Sequence, residues 1–85
     1  MWARTWVAEV GEENAHLLAT ESRTARLASE YRPHDIGDGR ISYSHLALEA
    51  SRELSPEEEG AITDDAEGLR VWVGDDAFEL VLVEE

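Results

Sequence analysis

The residues best suited to chemistry are three histidines and the carboxylates near two of them. His34 and Asp35 are followed by Asp38 in one short segment, and His45 lies seven residues further on. Zinc hydrolases hold their metal through histidine and carboxylate ligands, so this is the best local grouping for a metal ion. No His-Glu-x-x-His spacing occurs, however, and a loop histidine beside an aspartate is typical of a hydrogen-bonded turn. We therefore predict no metal site and no cofactor.

The sequence also contains no pattern that indicates nucleophilic catalysis. Ser42 and Ser44 precede His45, but neighbours along a chain do not form a catalytic triad, and the Gly-x-Ser-x-Gly elbow is absent. The segment 35–39 resembles a calcium loop without the alternating ligands and terminal glutamate of an EF-hand. A chain of 85 residues also has little room for a deep, water-excluding pocket. We expect a protein that is not an enzyme.

Acidic residues dominate the composition of the chain. Twenty aspartates and glutamates oppose seven basic residues, all of them arginine, and the formal net charge is −13. Anionic membrane surfaces and nucleic-acid phosphates would repel such a chain, so we expect neither membrane nor direct nucleic-acid binding. The lack of cysteine excludes disulfides and cysteine-based metal sites and fits a reducing compartment, and no apolar leader segment is visible. We therefore expect a cytoplasmic protein.

The negative charge is concentrated in the second half of the chain. Residues 22–40 carry a net charge of +1, whereas residues 41–85 hold thirteen carboxylates and two arginines, a net charge of −11. A folded surface of closely spaced carboxylates has a potential like that of a nucleic-acid backbone and is steered toward a basic groove. We predict a basic, nucleic-acid-binding protein as the partner. The candidate partner-binding carboxylates are Glu57, Glu58, Glu59, Asp64, Asp65, Glu67, Asp75, Asp76 and Glu79.

A simpler interpretation of the same acidity is adaptation of the surface for solubility or high salt. Residues 57–59 are also explained by a helix N-terminus, which favours negative charge. In size and acidity the chain is similar to small phage-encoded inhibitors, such as anti-CRISPR and anti-restriction proteins. This resemblance implies an inhibitor that occupies a nucleic-acid site on a defence protein, as a nucleic-acid mimic. It covers no motif and assigns no residues.

Three tryptophans in so short a chain point to either a core or an interface. Tryptophan is enriched among binding hot spots, and Trp2 and Trp72 are our candidates for exposed interface aromatics. Trp72 lies on the opposite face of its predicted strand from Leu69, Val71 and Val73. The alternative to a docking module is an oligomeric accessory or antitoxin-like subunit, such as a homodimer whose paired sheets bury Trp72 and Val81.

These residues require an α+β fold, which we predict as one domain over residues 1–85. The expected sheet is antiparallel or mixed, with three to five strands, two or three helices on one face and a C-terminal β-hairpin. Alternating apolar residues predict a strand over 4–10 and a hairpin of 69–73 and 78–82 around the turn 74–77. Both faces of the second hairpin strand are apolar, which favours a central place in the sheet.

Helical spacing predicts a helix over residues 21–31, with Leu27 and Tyr31 on its buried face, and a second over 44–54. A third should begin at Ser55, which is followed by Pro56 and a glutamate at the third helical position. Residues 34–39 are expected to be a loop and 40–43 a short strand. Residues 15–20 fit either a strand or a helix capped by Asn14.

Overall fold

The protein is an α+β structure of two helices and seven strands in its computed structural model, which describes residues 4–84. The helices are α1, Glu12–Thr20, and α2, His45–Arg52. The strands are β1 (Arg4–Glu9), β2 (His34–Gly37), β3 (Arg40–Ser44), β4 (Ile62–Asp65), β5 (Gly68–Val73), β6 (Asp76–Glu79) and β7 (Val81–Glu84). Two 3-10 turns, Thr24–Arg26 and Ser29–Tyr31, connect α1 to β2. The predicted α+β class, with antiparallel sheets and a C-terminal hairpin, is confirmed.

One sheet has four antiparallel strands in the order β2-β3-β1-β7. Alternation along β1 and β3 gives it an apolar inner face, on which Trp6 lies opposite Tyr43 and Ala8 opposite Ile41. Tyr43 and Ile41 are fully buried and share a core cluster with Leu18 of α1. Both helices contact β3, so they cover this face of the sheet and leave the other face without a helix.

The other sheet has three antiparallel strands in the order β4-β5-β6. Ile62 lies opposite Val71, which lies opposite Phe78, and this row packs into the same core. Because side chains alternate across a strand, Arg70 and Trp72 of β5 lie on the opposite face from Val71. We call this the outer face of the three-stranded sheet.

The predicted hairpin is β5–β6, closed by the two-residue turn of Gly74 and Asp75. Gly74 has φ +62, as the primed hairpin turns require. The prediction of a central second strand is wrong. The strand bends at Leu80, which is buried and donates its N–H to the Leu69 carbonyl at 2.9 Å. It therefore divides into β6 and β7, which are edge strands of different sheets.

The helix predicted over residues 21–31 is also wrong, because hydrogen bonds of a buried serine end α1 there. The Ser22 hydroxyl donates to the Leu18 carbonyl at 2.7 Å and accepts from the Ala25 N–H at 3.2 Å. Such local bonds compete with helix continuation, and two single turns follow instead. Leu27 and Tyr31, expected on a buried face, are 49% and 37% exposed.

The predicted third helix is absent, and a turn followed by β4 occupies its place. Gly60 has φ +87, a left-handed conformation that a right-handed helix does not contain. Its N–H donates to the Trp72 carbonyl at 2.8 Å, and the Trp72 N–H donates to Ala61 at 2.9 Å. Pairing with β5 therefore takes the backbone hydrogen bonds that a helix would have used.

Three further segments show how the observed secondary structure relates to the predicted one. Residues 34–39, expected as a loop, contain β2 and its turn. The open choice at residues 15–20 is decided for helix, but Asn14 donates to the Val10 carbonyl at 2.9 Å and does not cap α1. The second predicted helix is α2, whose N-cap is Ser44; its hydroxyl accepts the Ala47 N–H at 3.3 Å.

Candidate interaction surface

The predicted partner-binding carboxylates border the three-stranded sheet at two opposite ends. Asp64, Asp65 and Glu67 lie at the β4–β5 turn, whereas Asp75 and Asp76 lie at the β5–β6 turn. The six residues of β5 separate these turns, a span of roughly 17 Å at the usual rise per residue. The turn that carries residues 57–59 lies nearer the β5–β6 end, because the following Gly60 N–H bonds to the carbonyl of Trp72.

Arginines neutralise the carboxylates at the β4–β5 turn. Arg70 contacts Asp65 and Glu67, each at 2.9 Å, and the Arg52 guanidinium lies 4.0 Å from Asp64. The pKa of Asp65 is held below its usual value, first by the backbone N–H of Glu67 and then by Arg70. Asp65 therefore closes the turn, and we call the three residues the paired carboxylates.

Five of the other six predicted carboxylates have no such partners. Glu58 is bound by Arg23 at 3.1 Å. The remaining five make no ion pair with any other described residue, and all five are exposed. We call this set the unpaired carboxylates: Glu57, Glu59, Asp75, Asp76 and Glu79, the last of which lies opposite Arg70 and away from the β5–β6 turn. The nine predicted residues thus separate into a group with local structural roles and a group whose charge is free to act on a partner.

Trp72 lies on the outer face between these two ends of the sheet. It is half-buried, and its indole Nε1–H donates to the Thr63 hydroxyl at 2.9 Å. The Arg70 guanidinium carbon lies 5.2 Å from the ring centroid, within the range of a cation–π contact. The hydrogen bond and the arginine together hold the indole ring in one orientation.

A cavity of about 430 Å³ opens beside Trp72. Its lining residues come from the turn before β4, from β4, from β5 and from the hairpin turn: Pro56, Glu57, Thr63, Trp72, Gly74 and Asp75. We call it the Trp72 cavity. Two of the unpaired carboxylates, Glu57 and Asp75, therefore lie at one aromatic side chain, although they are eighteen positions apart in the sequence.

The other tryptophans have different positions. Trp2, the second predicted interface aromatic, lies outside the described residues. Trp6 is half-buried and packs against the core cluster.

Of the histidines and serines considered for chemistry, His34 lies opposite Ser42 in the β2–β3 pairing, while Ser44 and His45 lie at the start of α2. Within residues 4–84, no three histidine, aspartate or glutamate side chains are placed to hold a metal ion. Asp35 instead accepts the Gly37 N–H at 2.9 Å, which makes it a turn residue. Ser44 caps α2, and the adjacent His45 borders a separate depression beside Trp6.

The sequence interpretation missed Thr63 and Pro56 as lining residues because it assigned both to a third helix. A usable signal was present in Ile62 and Thr63, since consecutive β-branched residues favour a strand. The sequence also contains no sign of a groove on the helical side of the molecule. Leu27 and Leu46 of α2 both line this groove, and Leu46 is 47% exposed.

Comparison with protein-family models, with curated proteins and with solved structures finds no match to this chain. No helix in the described part of the chain is long and apolar enough to cross a membrane. Fold and surface define a two-sheet α+β protein with carboxylates at both ends of its three-stranded sheet.

Proposed function

We propose that this protein is a non-enzymatic binding module that docks on a basic, nucleic-acid-binding partner protein and occupies its nucleic-acid site. It acts in the cytoplasm, as a nucleic-acid mimic or inhibitor of the anti-CRISPR or anti-restriction type. The five exposed, unpaired carboxylates carry this proposal, and four of them lie in the turn before β4 and at the β5–β6 turn.

The distribution of ion pairs supports a docking role over a purely solubilising one. Arg52 and Arg70 are engaged with carboxylates at the β4–β5 turn, and Arg23 is bound to Glu58. At the β5–β6 turn, Asp75 and Asp76 make no ion pair with any described arginine, whereas Glu57 and Glu59 border a depression that Arg23 and Arg26 also line. Carboxylates concentrated in this way make the local electrostatic potential more negative. They accelerate association with a basic groove by up to ~10³-fold at low salt.

The experiment is capture of basic proteins from nucleic-acid-depleted lysate, with elution by rising salt and challenge with DNA or RNA. One variant carries Glu57→Gln, Glu59→Gln and Asp75→Asn, which neutralise three unpaired carboxylates. Its matched control carries Asp64→Asn, Asp65→Asn and Glu67→Gln, which remove the same charge from the paired carboxylates.

We expect the first variant to lose the captured nucleic-acid-binding protein and the control to retain it. Added nucleic acid should displace the protein from the wild type. Equal losses in both variants mean that only total charge matters. In that case the acidity is an adaptation for solubility or salt, and the proposal is wrong.

A second candidate function, an oligomeric accessory or antitoxin-like subunit, is favoured by one different observation. β7 is an edge strand on which Val81, Leu82 and Val83 are 54%, 42% and 41% exposed. An unpaired apolar edge is a template for pairing with another strand. Light scattering at high salt should then give a dimer mass, and Leu82→Lys should give the monomer. A monomer at every concentration tested removes this candidate.

A further inference from the structure

The Trp72 cavity combines an aromatic surface with charge of a single sign. Three of its six lining residues are Trp72, Glu57 and Asp75, and no arginine is among the lining residues described. Glu57 and Asp75 belong to two different turns, so their approach to one ring is a product of the fold and not of a run of acidic sequence.

The indole ring is held in place before any ligand arrives. Its N–H is bonded to Thr63 on the neighbouring strand, which fixes the ring against β4. Arg70 covers one part of the ring at 5.2 Å but does not line the cavity, so the cavity opens onto another part of the same side chain. The protein thus already contains one arginine–indole contact at this side chain.

We propose that the Trp72 cavity binds the guanidinium group of an arginine side chain from the basic partner. The carboxylates of Glu57 and Asp75 accept its N–H groups while its plane packs against the indole of Trp72. This inference rests on the proposed function, and it adds the class of partner residue and the place where it binds.

Arginine fits this cavity better than lysine for geometric reasons. A guanidinium is planar, stacks on an aromatic face and presents five N–H donors in a fixed fork, so it can serve two carboxylates at once. Lysine carries a compact ammonium that remains strongly hydrated and does not stack. A volume of about 430 Å³ accommodates one such side chain together with water.

Glu57 has a second set of neighbours. It also borders a more open depression that contains Arg23 and Arg26. The recorded ion pair of Arg23 is with Glu58, at 3.1 Å, and within residues 4–84 no ion pair of Glu57 occurs. The carboxylate of Glu57 is therefore available to the Trp72 cavity.

The test is an NMR titration of the intact protein that follows the indole Nε1–H resonance of Trp72. The probes are N-acetyl-arginine amide, its lysine counterpart and its neutral citrulline counterpart, all at one ionic strength. We expect the arginine probe to shift this resonance in a saturable way, more weakly with lysine and not at all with citrulline. Glu57→Gln and Asp75→Asn should each weaken binding by about two- to five-fold, as for an exposed ion pair.

Asp38→Asn is the matched control, because it removes the same charge from the turn between β2 and β3, in the other sheet, and does not line the cavity. It should leave the affinity for the arginine probe unchanged. An unmoved Trp72 resonance, an equal response to citrulline, or an equal loss in the control each overturns the inference. Should the cavity fail while salt-sensitive capture of a basic protein persists, the proposed function stands and only this site is wrong.

Discussion

Replacing Tyr43 with phenylalanine should make the protein more stable, contrary to the usual effect of deleting a buried polar group. Tyr43 is fully buried, and its hydroxyl oxygen has no hydrogen-bond partner among the described residues. A buried polar group without a partner costs about 1–3 kcal/mol, because it loses its hydrogen bonds to water on folding. The phenylalanine variant removes that cost and gives up only the contacts of one oxygen. We therefore expect a gain of about 1 kcal/mol in the free energy of unfolding.

The burial of Tyr43 also predicts how the stability of the protein changes at alkaline pH. Burial raises the pKa of the Tyr43 phenol above its ordinary value of about 10, because the charged phenolate is poorly solvated in the core. Below about pH 10 the phenol is protonated in both states and stability does not change. Above it the unfolded chain releases a proton that the folded protein retains, so stability falls by about 1.4 kcal/mol per pH unit.

The assay is urea unfolding followed by circular dichroism at neutral pH and at several alkaline values. The chain is well suited to it, since it has no lysine or cysteine and only two tyrosines. The phenylalanine variant should keep its stability where the wild type loses it, and Tyr31→Phe, a change at an exposed side chain, should behave as the wild type. Destabilisation of the Tyr43→Phe variant at neutral pH, or a parallel alkaline loss, would refute the reasoning.

Other substitutions test the local structure. Ser44→Ala removes the α2 cap and should lower the free energy of urea unfolding by about 1 kcal/mol. An unchanged urea midpoint would mean that the cap does not stabilise the protein. Gly39→Ala should destabilise by about 1–3 kcal/mol in thermal unfolding, since φ is +74 and a Cβ would lie 3.0 Å from Gly11; a neutral result contradicts that geometry. Asp65→Asn should be less stable than wild type at neutral pH, and the difference should shrink as the pH falls below about 4 and vanish only below the lowered pKa of Asp65, because the Glu67 N–H and Arg70 favour the ionised carboxylate. A difference that persists in acid would show that charge is not its cause.

The strands with strict alternation were predictable from sequence because one face of each is buried. β1 carries Trp6 and Ala8 toward the core, and β5 carries Val71. The hairpin turn was predictable for the same local reason, since Gly74 supplies the positive φ that the turn requires. The change of sheet at Leu80 was not, because a continuous apolar run has the same appearance in a central strand and in a strand that serves two sheets.

The helix wrongly predicted at residues 55–67 shows where local signals lose to tertiary pairing. Ser55, Pro56 and the following glutamates form a strong helix start, but the segment is too short to be stable without an apolar face. Its only large apolar side chain before the β4–β5 turn is Ile62, which packs in the sheet opposite Val71. The free energy of joining a buried sheet therefore outweighs the preference of a capped first turn.

The residues of the candidate site could be predicted from the sequence, but their convergence could not. Composition identified Glu57, Asp75 and Trp72 as separate interface residues, since charge and aromatic character can be read without a fold. Their convergence depends on β4 lying beside β5, which brings the turn before β4 to the hairpin turn. The failed helix and the Trp72 cavity are thus consequences of one pairing. A helix at residues 55–67 would have spread its carboxylates over a solvent-exposed helix surface. The β4–β5 pairing instead places Glu57 beside the Trp72 ring, where it makes no ion pair with a described residue.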